Sequence, residues 1–297
     1  MQNHITPCLW FDNQAEEAAV FYTSLFKNSK IENMSRYGKE GFEVHGQKEG
    51  TALTVEFQLN GQLFNALNGG PHFKFNPSVS FYVVCETEKE VNLLWEKLSE
   101  GGSVMMALDK YDWSGRYGWL NDRFGLSWQI ALGKLKDTVQ KFSPALMFMG
   151  SQHHLAEEAV HFYTSIFPDS KVKHILRYTT DEKDTTGTVK HAQFTINNQT
   201  FMIMGSSMEH QFKFNEAISF QVFCDTQKEI DYYWDKLTDG GSEGQCGWLK
   251  DKYGVSWQIV PSMLGQLMSN PAKAGSVMNA FLKMKKFDIA KLVEASQ

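Results

Sequence analysis

Ala15-Glu16-Glu17-Ala18-Ala19-Val20-Phe21-Tyr22-Thr23-Ser24-Leu25-Phe26 returns, with few changes, as Ala156-Glu157-Glu158-Ala159-Val160-His161-Phe162-Tyr163-Thr164-Ser165-Ile166-Phe167. The spacing predicts a helix, with Ala18, Phe21, Tyr22 and Leu25 on one apolar stripe. Three more blocks recur in the same order. Phe73-Lys74-Phe75-Asn76 returns as Phe212-Lys213-Phe214-Asn215, and Trp95-Glu96-Lys97-Leu98 as Trp234-Asp235-Lys236-Leu237. Gly118-Trp119-Leu120 through Ser127-Trp128-Gln129-Ile130 returns as Gly247-Trp248-Leu249 through Ser256-Trp257-Gln258-Ile259. Chance does not preserve that order, so residues 1–137 and 138–261 are two copies of one unit, and 262–297 is a tail outside the repeat. Copy 2 carries an insertion near His153-His154. Copy 1 carries a segment, about Met105 to Arg116, where copy 2 has only Glu243-Gly244-Gln245.

Each copy is itself double. An apolar strand, Ile5 to Phe11, precedes the helix, and strands are predicted at Lys30–Tyr37, Thr51–Asn60 and Gln62–Asn68. Thr54, Glu56 and Gln58 alternate with Val55, Phe57 and Leu59, the period of a strand with two unlike faces. Asn60-Gly61 marks a tight hairpin. A second round starts at Val79–Cys85 and has a helix from about Glu88 to Ser99, ended by Gly101. It continues with strands near Val104–Leu108, Tyr117–Asn121 and Ser127–Leu132. The fold class is therefore α+β: a βαβββ module, twice per copy and four times per chain. In the tail, Pro271 starts one helix and Asp288 caps a last short one, so the segment is expected to strap onto the body.

The 297 residues are 42% hydrophobic and 13% aromatic, ample for packed cores, and the formal net charge is -5. That charge gives no footprint for nucleic acid or an anionic membrane. No run approaches a membrane span, and Met1-Gln2-Asn3-His4 does not open a signal peptide. Cys8, Cys85, Cys224 and Cys246 are widely spaced, without a CxxC pair, and are expected to be inert thiols in a cytoplasmic protein.

The tandem βαβββ unit, with its apolar first strand, Phe-Tyr helix and Asp-x-x-Gly turn before the last strand, resembles the vicinal oxygen chelate superfamily. That group comprises glyoxalases, bleomycin-resistance proteins and extradiol dioxygenases. The finer resemblance is to its PhnB-like branch. It rests on Ile5-Thr6-Pro7, Ala15-Glu16-Glu17-Ala18, Asn68-Gly69-Gly70-Pro71 with Phe73 and Phe75, and Gly118-Trp119-Leu120 with Asp122, Gly125 and Ser127-Trp128-Gln129-Ile130. The Met284-Lys285-Lys286-Phe287-Asp288-Ile289 stretch is also similar. Nearly the whole chain is covered. The resemblance implies modules that close two glyoxalase-like cupped mixed sheets around small-molecule sites, with C-terminal helices added. Members of the branch form dimers whose partners share a cup. The fused copies therefore imply either a monomer with pseudo-dimeric halves or a homodimer.

Metal-using relatives hold a divalent ion with His or Gln on the first strand and carboxylate or His on three others. Here the first-strand position falls on Pro7 and Pro144. The fourth-strand position falls within Asn65–Asn68 and Met202–Gly205, and the fifth on Ser78 or Val79 and on Ala217 or Ile218. The last-strand glutamate becomes Gln129 and Gln258. Proline, apolar groups and neutral amides are poor substitutes, so no metal and no cofactor is expected. Gln129 and Gln258 are expected to point into the cups. Asn65 and Asn68 are expected to share one face and line the same cup, with Asn68-Gly69-Gly70 as a plain turn the alternative for Asn68; if only one cup binds through these groups, copy 1 is the choice, since copy 2 has Met202 and Gly205 there. Trp10, Phe57, Trp113, Trp119 and Trp248 are candidate aromatic walls, and Trp113 is placed on a lid loop.

Two functions remain open at this point. One is a protein that binds an unidentified small molecule without catalysis. The other is an enzyme, of the glyoxalase or dioxygenase type or the methyltransferase implied by the label demethylubiquinone 3-methyltransferase-like. Gly101-Gly102-Ser103 and Gly240-Gly241-Ser242 end helices rather than opening them after a strand, so no cofactor-phosphate loop is seen. His153, His154 and His191 lack a third ligand in the pattern, and the tail lysines Lys283, Lys285 and Lys286 suit a solvated face.

Overall fold

The computed structural model describes residues 5–38, 42 and 46–297. Met1-Gln2-Asn3-His4 lies outside the described residues. Module 1 comprises β1 (Thr6–Phe11), α1 (Ala15–Leu25), β2 (Lys30–Arg36), β3 (Ala52–Leu59) and β4 (Gln62–Asn68). Module 2 comprises β5 (Val79–Cys85), α2 (Glu88–Ser99), β6 (Ser103–Tyr111), β7 (Ser114–Asn121) and β8 (Ser127–Leu132). A one-turn helix, α3 (Leu135–Thr138), joins the copies. Module 3 comprises β9 (Phe142–Met149), a 3-10 turn (Gly150–Leu155), α4 (Ala156–Ile166), β10 (Lys171–Arg177), β11 (Val189–Ile196) and β12 (Gln199–Ser206). Module 4 comprises β13 (Ile218–Cys224), α5 (Gln227–Thr238), β14 (Ser242–Glu243), β15 (Trp248–Lys250) and β16 (Ser256–Pro261). The tail forms α6 (Leu264–Met268), α7 (Pro271–Phe281) and α8 (Ile289–Ala295).

Local chemistry sets the boundaries. The Thr87 hydroxyl accepts from the Glu90 N–H at the start of α2, and Thr226 and Glu229 form a reciprocal capping box on α5. Asp288 caps α8 by accepting from the Lys291 N–H. Asn60 and Gly61 both have positive φ, +49° and +80°, which is what a two-residue hairpin between β3 and β4 requires.

The strands form two eight-stranded mixed sheets. Sheet A runs β14-β15-β16-β13-β1-β4-β3-β2, and sheet B runs β10-β11-β12-β9-β5-β8-β7-β6. Sheet A thus joins module 1 to module 4, through antiparallel β1 and β13 with Thr6 opposite Gln221 and Cys8 opposite Ser219. Sheet B joins module 2 to module 3, with Val79 opposite Leu146 and Val83 opposite Phe142. Neither copy closes a cup by itself.

One face of each sheet enters a common apolar core with the helices. Phe64 of sheet A lies 5.3 Å, ring to ring, from Phe81 of sheet B. Trp128, Trp234 and Trp257 are the largest side chains buried there; each is worth about 2–3 kcal/mol over exposure. The opposite face of each sheet is its cup.

The tail completes module 4. Cys246 and Gly247 donate their N–H groups to Met284 and Lys285 carbonyls at 2.7 and 2.8 Å. Phe287 is buried against Gly247, where a Cβ would come within 2.5 Å of its ring. Module 2 instead extends β6 and β7 into a long hairpin, so most of the segment particular to copy 1 is strand and Trp113 stands in the tight turn at its tip. Lys285 and Lys286 pair with Glu243 and with Asp231 and Asp235 on the surface. Among the described residues no helix is long and apolar enough to cross a membrane.

Candidate functional site

Residues opposite one another across neighbouring strands point to the same side of a sheet, so the register assigns the cup faces. In sheet A, Asn65 stands beside Cys8 and Cys8 opposite Ser219. Gln221 stands beside Gln258, and Gln258 opposite Trp248. These side chains form a chain of hydrogen bonds across the copy junction. Asn65 Nδ2 donates to Gln221 Oε1 at 3.3 Å, Gln221 Nε2 to Gln258 Oε1 at 3.1 Å, and Gln258 Nε2 to Ser219 Oγ at 2.8 Å. Burial pushes the Cys8 thiol up to about 11, although Gln258 and Ser219 hydrogen-bond it, so it is protonated at neutral pH. Two acceptors on this face, Asn65 Oδ1 and Ser256 Oγ, are buried without a partner. A ligand donor would satisfy them.

Cup B has the same strand positions and different chemistry. Ser143, Tyr82, Gln129, Trp119 and Met106 form one cross-strand row. Gln129 is held on both sides: Tyr117 Oη donates to its Oε1 at 2.7 Å, and its Nε2 donates to Ser80 Oγ at 2.8 Å. Burial raises the Tyr117 hydroxyl far above its ordinary value, so it stays a donor. Tyr117, Trp119 and Ala131 are buried, with Tyr82, Met106, Tyr111, Met147 and Met204 packed on them. The cup is therefore aromatic and thioether-lined, and Ser143 Oγ is a buried acceptor without a partner. At its far wall His191 stands opposite Met204, and His174 Nε2 is 3.3 Å from His191 Nδ1.

The candidates from the sequence thus divide. Asn65, Trp10, Trp248 and Gln258 stand on cup A, and Gln129 and Trp119 on cup B. Trp113 is exposed at the β6–β7 turn, stacked on Tyr111 at 4.9 Å. Asn68 does not share a face with Asn65, because three residues along a strand lands on the opposite side. Asn68 Oδ1 instead accepts from the Ala15 N–H at 2.8 Å, tying β4 to the start of α1. Phe57 is wholly buried in the core, stacked on Phe64 at 5.6 Å. Each cup draws on both copies, so Asn65 of copy 1 stands in one cup with Ser219, Gln221 and Gln258 of copy 2. Tyr37 and Tyr178 donate to the equivalent carbonyls of Asn68 and Gly205, a structural role.

Residues that the spacing argument missed are Cys8, Ser219 and Gln221 in cup A and Ser80, Tyr82 and Tyr117 in cup B. For four of these the signal lies in β13 and β5, where Ser219 and Gln221, and Ser80 and Tyr82, alternate with apolar neighbours.

Pro7 and Pro144 face the core, opposite the buried Phe220 and Phe81. The cup-facing first-strand residues are Thr6 and Cys8, and Ser143 and Ala145. With Asn65, Gln258, Gln129 and Met202 or Met204 on the other strands, the groups at the expected ligand positions are amides, hydroxyls, thioethers and one protonated thiol; the one carboxylate on the cup A face, Glu56 opposite Asn65, and the His174–His191 pair on the wall of cup B stand apart from one another. This set does not fit the divalent ion of the metal-using relatives, which needs anionic or imidazole ligands. Among the described residues no three His, Cys, Asp or Glu side chains gather as metal ligands.

The glycine turns are packing devices. A Cβ on Gly102 would lie 2.3 Å from the Asn121 carbonyl oxygen, and on Gly241 2.1 Å from that of Lys250. Both turns press on a strand end and leave no cradle for a phosphate.

The family model described as 3-demethylubiquinone-9 3-methyltransferase matches residues 3–131 and again 140–260. Among solved structures, the chain is similar to a PhnB protein from Bacillus cereus, provisionally described as a 3-demethylubiquinone-9 3-methyltransferase. Identity is 44%, over 43% of this chain and 98% of that one, with a TM-score of 0.41. A protein from Staphylococcus aureus is 34% identical over 44% of this chain and 96% of its own, with a TM-score of 0.19. Glyoxalase I from Zea mays is 10% identical over 87% of this chain and 92% of its own, with a TM-score of 0.56, a likeness of fold. No curated protein matches the chain.

Proposed function

From the premise that the chain belongs to the 3-demethylubiquinone-9 3-methyltransferase family, the PhnB-like branch of the vicinal oxygen chelate superfamily in tandem-duplicated form, we propose that it is a cytoplasmic small-molecule-binding protein. Its cups hold their ligand through amides, hydroxyls and aromatic rings rather than through a divalent ion. The observation that carries this reading is the state of the two glutamines at the last-strand ligand position. Gln129 and Gln258 are both already wired into neutral hydrogen-bond networks on the cup face. Burying an unpaired divalent charge against neutral amides would be costly. The unpartnered acceptors Asn65 Oδ1, Ser256 Oγ and Ser143 Oγ favour a ligand that donates hydrogen bonds.

Elemental analysis of untagged protein, together with native mass spectrometry of what copurifies, tests the reading. The expected result is trace metal and an organic adduct; stoichiometric metal would overturn it. The methyl transfer named in the family description is the second reading. It predicts turnover of a phenolic acceptor with S-adenosylmethionine.

A further inference from the structure

The two cups differ at one end, and the difference makes a pocket. In sheet A, Trp10 fills the strand end. Its Nε1 donates to the Gly70 carbonyl at 2.8 Å, and its ring meets Phe73 at 5.0 Å. Gly69 lies so close that a Cβ would be 2.1 Å from the indole. The matching residue of copy 2 is Met147, two residues beyond Ala145 as Trp10 is beyond Cys8. Copy 2 also lengthens both flanking loops: the 3-10 turn Gly150–Leu155 follows β9, and Ser207 to Gln211 precedes the shared Phe-Lys-Phe-Asn block. The result is a pocket of about 430 Å³ beneath the 209–214 loop, within the ~300–1,000 Å³ range of small-molecule sites. Its walls combine apolar Met147, Met149 and Phe214 with Gln152, Glu209 and Lys213.

Glu209 and Lys213 have no ion-pair or side-chain hydrogen-bond partner among the described residues, and they do not pair with each other. Two opposite charges left single at one pocket, with an apolar wall between β9 and the loop, match a molecule carrying both charges and an apolar body. We propose that this pocket binds a zwitterionic small molecule of the class of the large apolar α-amino acids. Its ammonium group meets Glu209, its carboxylate meets Lys213, and its side chain lies on Met147 and Met149. The proposal extends the reading of the cups as binding surfaces to the end of cup B. It stands apart from the question of metal.

Three probes of one shape isolate the charges: L-phenylalanine, phenethylamine and 3-phenylpropionate, titrated calorimetrically into the full-length protein. L-Phenylalanine is expected to bind with Kd at or below about 1 mM, and the two singly charged probes at least about tenfold more weakly. Met147→Trp, which puts an indole at the copy 2 position that matches Trp10, with Ser206 where copy 1 has Gly69, should fill the pocket and abolish binding while circular dichroism stays unchanged. If that variant misfolds, Lys213→Met decides instead: it should remove the preference for L-phenylalanine over phenethylamine. Equal binding of all three probes, no binding of L-phenylalanine, or undiminished binding by a folded Met147→Trp protein would overturn the proposal. None of these outcomes bears on the metal content of the cups, so the two readings fail separately.

Discussion

The Tyr22 hydroxyl donates a 2.7 Å hydrogen bond to the buried carboxylate of Asp122, a hundred residues away in the chain. The same oxygen accepts from Trp128 Nε1 at 2.8 Å, while Asp122 Oδ1 takes the Phe124 and Leu126 N–H groups. Copy 2 repeats the arrangement, with Tyr163 and Trp257 on Asp251 at 2.8 and 2.9 Å. The Asp-x-x-Gly turn is thus a buried clasp. It joins the helix of one module to the last strand of the next, so it ties sheet A to sheet B within each copy, while strand pairing ties the copies together.

Removing this clasp should be costly. Tyr22→Phe leaves Asp122 its three other donors and is expected to lower stability by about 1–2 kcal/mol. Asp122→Ala strands the tyrosine, the indole and two backbone N–H groups, and should cost about 3–5 kcal/mol. Urea denaturation of the two single variants and the double variant measures this. The double variant should be less destabilised than the sum, because both substitutions break one network.

The clasp also shows what the sequence made legible. Modules, helices, caps and the Asn60-Gly61 hairpin follow from local periodicity and turn chemistry, which a single segment carries within itself. Pairing of modules does not. β1 can meet either β5 or β13 with the same apolar pattern, and only the packing of Tyr22 on Asp122 and of Phe64 on Phe81 separates the alternatives. The site suffered from parity. Phe57 shares its face with Val55 and Leu59, a signal for the core that its aromatic character obscured. Asn65 and Asn68 look alike in residue type, yet strand geometry sets residues three apart on opposite sides.

The histidine pair on the wall of cup B should make stability depend on pH. Burial, with His174 beside it, lowers the His191 imidazole to about 4, below its ordinary 6.5. The folded state therefore binds fewer protons than the unfolded state between those values, and stability from this group is gained as pH rises from 4 to 6.5 and lost as it falls. Asp251 acts oppositely, since burial raises it to about 6 and its contribution declines with rising pH from 3.8 to 6. The difference between parent and His191→Gln isolates the histidine. The variant's denaturation midpoint should gain on the parent's as pH drops from 6.5 to 4; parallel profiles would refute the assignment.

Trp10 should behave as a plug rather than a free wall of cup A. Trp10→Ala removes the bond to Gly70 and the contacts with Phe73 and with Trp248, 5.8 Å away. Because the indole is only partly buried, a loss of about 2–3 kcal/mol is expected, below the cost of a fully buried tryptophan. Gly69→Ala should push the same ring aside and cost about 1–3 kcal/mol through overpacking. Thermal denaturation compares them, and a Gly69→Ala protein as stable as the parent would show that the indole has room to move.

The strongest test of the architecture is to cut the chain between the copies. Sheet A depends on the β1–β13 ladder and sheet B on the β5–β9 ladder, so each copy alone exposes two unpaired strand edges where the other copy belongs. Fragments 1–137 and 138–297, expressed together with a tag on only one, should copurify as a one-to-one complex. That complex should show the circular dichroism of the intact chain, because every strand pair across the junction survives a break in the last turn of α3. Each fragment alone should pair with itself or precipitate, since a monomer would leave those edges and half of each cup in water. A well-folded monomer of either fragment by light scattering would mean that a copy can close a cup by itself, and would overturn the cross-copy sheets.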